Sequence, residues 1–194
     1  AIPETFFTAW GSLFECLRLK KNDKILIRGA TCALGYAAIQ IAKNFGAKVI
    51  ATTHKKEKFA LLEDADEIIL DDGKLVGKIT CDKVLDLVGP KNLLDSFKVV
   101  APSENAFVCC SGILGGVYEI KNFDPIKDIP NGVYLAGFFS NTPTQEIIDK
   151  IFEFIEAKKI IPKVGKVFAF ENLKDALIAQ DCGKVNGKIV VKVR

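Results

Sequence analysis

Hydrophobic positions along this chain follow two periods. Short continuous apolar runs, as buried parallel strands show, alternate with stretches whose apolar positions recur every three or four residues, as amphipathic helices show. The first run is Ile25, Leu26 and Ile27; the stretch Leu34–Phe45 then keeps Ala38, Ile41, Ala42 and Phe45 on one face. Further strands are expected at Lys48–Ala51, Glu67–Leu70, Lys83–Leu87, Ala106–Cys110 and Val133–Phe139, with helices at Lys55–Glu63, Lys91–Lys98 and Thr144–Lys158. A helix over Pro3–Leu19 precedes them, with Phe6, Phe7, Trp10, Leu13, Phe14 and Leu17 at helical intervals. This alternation predicts an α/β fold with right-handed crossovers and a doubly wound, parallel, six-stranded sheet. The end of the chain breaks the pattern. Val164–Phe170 and Lys188–Val193 read as strands around a helix at Asn172–Gln180, with no place in the six-stranded sheet, and are expected to pair with a part of the protein outside this chain.

The turn after the first strand carries the chemistry. Gly29-Ala-Thr-Cys-Ala-Leu-Gly35 lies where a dinucleotide-binding G-x-G-x-x-G turn would lie, although it is not that motif. Small residues there let backbone N–H groups approach a pyrophosphate, and the helix start adds orphan donors and partial positive charge. Packing alone also places small residues after a first strand. At the end of the second strand no Asp or Glu waits for a ribose 2′-hydroxyl; Thr53, His54, Lys55 and Lys56 stand there. That chemistry suits a 2′-phosphate, so NADP(H) is expected over NAD(H). A lysine run at a helix start also serves as a solvated face, and the missing acid is the stronger half of the argument.

Composition narrows the classes. The 194 residues include 27 basic and 24 acidic side chains, a net charge of +3 too balanced to indicate a nucleic-acid partner. Hydrophobic residues make up 49% of the chain and mean hydropathy is +0.21, which allows a large core and a buried interface. No apolar run has the length of a membrane span. With one histidine and no C-x-x-C pair, the six cysteines do not suggest a metal site, and they fit a reducing cytoplasm. The chain has no methionine and begins at Ala1, so it reads as part of a longer protein.

Several blocks in order, AIPETFFTAW, LIRGATCALGYAAIQIAKNFGAKVIATTHKKEKFALL, DKVLDLVG, SGILGG, NFDPIKDIPNGVYLAGF and NGKIVVKV, resemble the medium-chain dehydrogenase/reductase superfamily over nearly the whole chain, and most of all its zinc-independent quinone oxidoreductase branch. The resemblance implies a Rossmann-type cofactor domain at 23–160. It implies a linker helix at 1–22 leading from a GroES-like catalytic domain, and a segment at 161–194 that completes and packs on that domain. It implies that Thr31, Cys32, Ala33, Leu34 and Gly35 line the pyrophosphate, and that Thr53, His54, Lys55 and Lys58 meet the adenosine ribose and its 2′-phosphate. Val88 and Gly89 would flank the adenosine; Ser111, Gly112, Ile113 and Leu114 would approach the nicotinamide ribose. Phe138 and Phe139 would lie near the nicotinamide, core packing being the equal alternative. No catalytic residue is indicated and no metal is implied.

The implied activity is hydride transfer from NADPH to a small electron acceptor, a quinone or an α,β-unsaturated carbonyl. Such a fragment alone would turn over little. Two departures stand out: Cys32 replaces the family's Gly or Ser in the phosphate turn, and Asp64-Ala65-Asp66 replaces its Gly-Ala-Asp. A non-enzymatic nucleotide- or RNA-binding module on the same fold is the competing reading. A methyltransferase-like domain would want an acid after the second strand. The apolar strand 133–139, at the sheet edge, is expected to pair with its copy in a homodimer.

Overall fold

The computed structural model describes residues 2–183 and 185–193. Six parallel strands, β1 (Lys24–Arg28), β2 (Lys48–Thr53), β3 (Glu67–Leu70), β4 (Lys83–Asp86), β5 (Phe107–Cys110) and β6 (Tyr134–Gly137), form one sheet in the order β3-β2-β1-β4-β5-β6. This is the doubly wound Rossmann arrangement. The order reverses beside β1, so the crevice between β1 and β4 is the topological switch point where ligands of such sheets bind.

Alternation along β1 feeds two cores. Ile25 and Ile27 face the layer built by α1 (Pro3–Trp10), α2 (Ala33–Phe45) and α5 (Gln145–Ala157), while Leu26 faces the layer of Leu75, Leu93, Phe97 and Val99. On α2, Ala38, Ile41 and Ala42 are fully buried, and Gly46, in the left-handed region at φ 106°, ends the helix.

The expected helix over Pro3–Leu19 has two parts. Beyond α1 the chain widens into a π-helical stretch, Gly11–Cys16, where the Leu17 N–H donates to the Ser12 carbonyl. Gly11 has no side chain because the ring of Phe138 occupies that space. Ser12 is held at both ends: its Oγ donates to the Thr8 carbonyl at 2.7 Å and lies 2.8 Å from the Ser111 Oγ. The expected helix over Lys55–Glu63 is a 3₁₀ helix, Lys56–Leu62, in which only Leu62 is buried. The one over Lys91–Lys98 shrinks to α3 (Leu93–Ser96). The 3₁₀ form covers more distance per residue than an α-helix would.

The closing segments form β7 (Val164–Ala169), α6 (Leu173–Asp181) and β8 (Lys188–Lys192). Pairing with a part outside the chain was expected for both strands. In this chain β7 and β8 pair in parallel with each other, in a separate two-stranded sheet.

Candidate cofactor site

The strands of the main sheet end at one rim, and their turns build the site. Gly29 leaves β1 in the left-handed region at φ 76°, a conformation only glycine takes without strain. Its N–H donates to the Thr52 Oγ at 3.2 Å, and the Ala30 N–H donates to the Thr52 carbonyl at 2.9 Å, which fastens the turn to β2. Cys32 then caps α2. Its Sγ accepts from the Gly35 N–H at 3.3 Å and its carbonyl from the Tyr36 N–H at 3.0 Å. The first-turn amides of Ala33 and Leu34 precede the intrahelical ladder and stand at the cleft. Burial pushes the Cys32 thiol up, outweighing the amides of Gly35 and Leu34, so it acts as a neutral cap.

Two adjoining hollows share Cys32, Ala33, Leu114 and Lys188. The larger, about 940 Å³, runs past Thr31, Thr53, His54, Lys58 and Val88. The smaller, about 310 Å³, lies over Leu34, Leu87, Gly112 and Ile113, and Glu4 and Thr5 of α1 line its far side. Eleven of the seventeen residues expected at the site therefore line one continuous cleft.

The other six stand outside its lining. Gly35 is buried under the Ala30 carbonyl, where it seats the helix. Lys55 is exposed, and only its N–H turns back, to the Thr53 Oγ at 3.3 Å. Gly89 is packed against the Gly112 carbonyl. The Ser111 hydroxyl points to Ser12 and Cys109. Phe138 packs edge-on against Phe7 at 5.6 Å, and Phe139 is 82% exposed.

Sequence reasoning missed much of the remaining wall. Asp71, Asp72, Lys91 and Asn92 line one side, and Gln180, Asn186, Gly187 and Lys188 the other. The second group runs from the end of α6 through the turn after it, with left-handed Gly183 and Gly187, to the first residue of β8. Both acids are paired: Asp71 with Arg28, and Asp72 with Lys78 at 2.7 Å. Lys188 meets Glu4 at 3.6 Å. Among the described residues, Lys58 and Lys91 have no ion-pair partner.

Beneath the rim lies a buried polar network. Asp86, the last residue of β4, accepts the Val88 and Gly89 N–H groups at 2.8 and 2.9 Å on one oxygen and the Ser96 hydroxyl at 2.6 Å on the other. It shapes the turn that carries Val88 into the cleft. Burial pushes its carboxyl above the ordinary range, against the lowering by Ser96, the two amides and Arg28.

The cleft fits a dinucleotide. Its size is that of a small-molecule site. Its centre offers helix-start amides for a diphosphate, with glycines where the backbone must come close. The sequence profile of the zinc-binding dehydrogenase family matches residues 45–191. The mitochondrial NAD(P)H oxidoreductase RTN4IP1 of Danio rerio is 25% identical over 218 residues, covering 100% of this chain and 56% of that protein. Acryloyl-coenzyme A reductase of Sulfurisphaera tokodaii is 28% identical over 194 residues, covering 90% and 52%. The structure of the quinone oxidoreductase from Coxiella burnetii superposes with a TM-score of 0.79 at 25% identity, covering 99% of this chain and 59% of that one. The chain thus spans little more than half of these proteins.

Proposed function

The chain belongs to the zinc-binding dehydrogenase family, and from that premise we propose that it is the NADPH-binding part of an oxidoreductase that reduces a quinone or an α,β-unsaturated carbonyl. The carrying observation is the cleft beside β1: helix-start amides at its centre, His54 and Lys58 at its β2 end, and both acids on its wall already paired. NADPH, when bound, supplies the hydride.

The chain's own residues bind and orient. The Ala33 and Leu34 amides hold the diphosphate. Thr53, His54 and Lys58 take the adenosine ribose and its 2′-phosphate. The apolar floor of Leu34, Leu87 and Ile113 keeps water from the nicotinamide end. In this reading the acceptor enters from the Glu4 and Thr5 side and is gripped by a catalytic domain, so this chain alone binds cofactor and turns over little.

We read the reaction as independent of zinc. What supports this is the resemblance to the zinc-independent quinone oxidoreductase branch, together with the single histidine of the chain. Among the described residues no helix is long and apolar enough to cross a membrane. Six free thiols, with Cys182 exposed, suit a reducing compartment, and we place the protein in the cytoplasm. The outer edge of β6, where Tyr134 and Leu135 are exposed, is our candidate for antiparallel pairing with a second copy.

Calorimetric titration with NADPH and with NADH tests the cofactor reading. Tighter binding of NADPH, with the preference reduced about tenfold in Lys58→Ala, is expected for the loss of one phosphate contact. Equal binding of the two by the parent chain would overturn the preference for NADPH.

A further inference from the structure

The last residue of β1 is an arginine with no exposed surface. Arg28 Nε and Nη2 donate to the two oxygens of Asp71 at 2.7 and 3.0 Å, the parallel fork that binds a carboxylate most firmly. Its Nη1 reaches Asp95 at 2.8 Å and the Ser96 hydroxyl at 3.0 Å. Asp71 follows β3 and is also a wall residue of the cleft, on the side of Thr53, His54 and Lys58. An unpaired carboxylate there would oppose a 2′-phosphate through a poorly screened interior, whatever the lysines contribute. The guanidinium, shared with Asp95, offsets that charge from behind, with its two-bond fork on Asp71.

The pair also reaches the phosphate turn. The Thr52 hydroxyl donates to Asp71 at 3.3 Å and accepts the Gly29 N–H at 3.2 Å. One buried cation is therefore linked, through Asp71 and Thr52, to the Gly29 turn.

We propose that Arg28 sets the dinucleotide preference of this cleft, acting through Asp71 as a positioning residue that cancels a carboxylate which would otherwise select against a 2′-phosphate. This rests on the cofactor reading given above. A purely structural arginine would change the affinities for NADPH and NADH together. A charge-cancelling one changes their ratio.

The test is the ratio of NADPH to NADH dissociation constants, by calorimetry at low salt, for the whole chain and for Arg28→Gln, Asp71→Asn and the double variant. Arg28→Gln should shift the ratio about tenfold toward NADH, and Asp71→Asn severalfold toward NADPH, as expected for exposing or removing one nearby charge. The double variant should return to within about twofold of the parent. If Arg28→Gln does not fold, the Asp71→Asn shift alone decides. Ratios unchanged within about twofold in every folded variant would overturn the proposal, even if the parent prefers NADPH. A parent that binds both without preference, but whose ratio still moves on Asp71→Asn, would overturn the preference for NADPH alone and support the charge coupling. Binding of neither dinucleotide would overturn both.

Discussion

Gly35 rests on the backbone of Ala30: a Cβ at position 35 would stand 2.7 Å from the Ala30 Cα and closer still to its carbonyl. Backbone cannot yield as a side chain can. Gly35→Ala should tilt the start of α2 away from β1, destabilise the fold by about 1–3 kcal/mol and weaken dinucleotide binding at least about tenfold. Thermal unfolding and calorimetry together check this, and an unchanged affinity would show that the helix start is not the phosphate site.

Gly11 and Phe138 make a similar contact with a different remedy. Here the obstacle is a half-buried ring. Gly11→Ala should cost about 1–2 kcal/mol in the parent chain and much less when Phe138 is already Ala, because the two positions share one space. Phe139→Ala, at an 82% exposed ring, should leave the unfolding midpoint unmoved. A double-mutant cycle in urea measures all of these.

Asp71 and Asp86 predict opposite pH dependences. Burial works to raise the Asp71 carboxyl, but the Arg28 hydrogen bonds and charge outweigh it and hold it below the ordinary range. Its contribution is present above the unfolded value, about 3.9, and is lost as pH falls through the lower folded one. Asp86 is raised, so the folded state keeps its proton longer than the unfolded chain, and stability declines as pH climbs from about 4 through the raised value. Urea unfolding from about pH 3 to about pH 8 should therefore pass through a maximum. Asp71→Asn should flatten the acid arm and Asp86→Asn the other. A parent curve flat over that range would remove both assignments.

Leu135 sits on the exposed edge strand, 40% accessible, beside Tyr134 at 48%. Leu135→Lys should convert a dimer to monomer in sedimentation without altering the monomer's unfolding midpoint, since charges on an edge oppose strand addition. A dimer that persists would locate the interface elsewhere.

The sheet was legible in the sequence because parallel strands buried on both faces leave uninterrupted apolar runs, such as Ile25–Ile27 and Val84–Leu85. Expected strand ends differ from the observed ones by a residue or two; β6, for example, stops at Gly137 where Phe138 turns inward to Gly11. The crossovers were harder to read. The stretch after β2 has helix-forming residues, yet it winds as a 3₁₀ helix before Glu67. The closing strands announced their type but not their partners, since pairing of β7 with β8 leaves no local mark.

The site was legible at its centre, where glycine, cysteine and alanine follow a strand, and less so at its walls. Arg28 shows why. A charged residue ending an apolar strand reads as the point where the chain surfaces, but here Asp71, 43 residues on, draws it into the interior. Lys188 and Asn186 come from the far end of the chain, and only folding carries them over the cleft.

The strand order also bears on how the chain assembles as it is made. In β3-β2-β1-β4-β5-β6 each strand's inner neighbour has already been synthesised: β2 and β4 add to β1, β3 to β2, β5 to β4, and β6 to β5. No gap waits for a later segment to fill it. Domains fold from the N-terminus during synthesis, and this sheet can grow outward from Lys24 on the ribosome with only its current edges open. The cleft beside β1 can thus be outlined as soon as β4 docks, and β8, which begins at Lys188, arrives last to complete its outer wall.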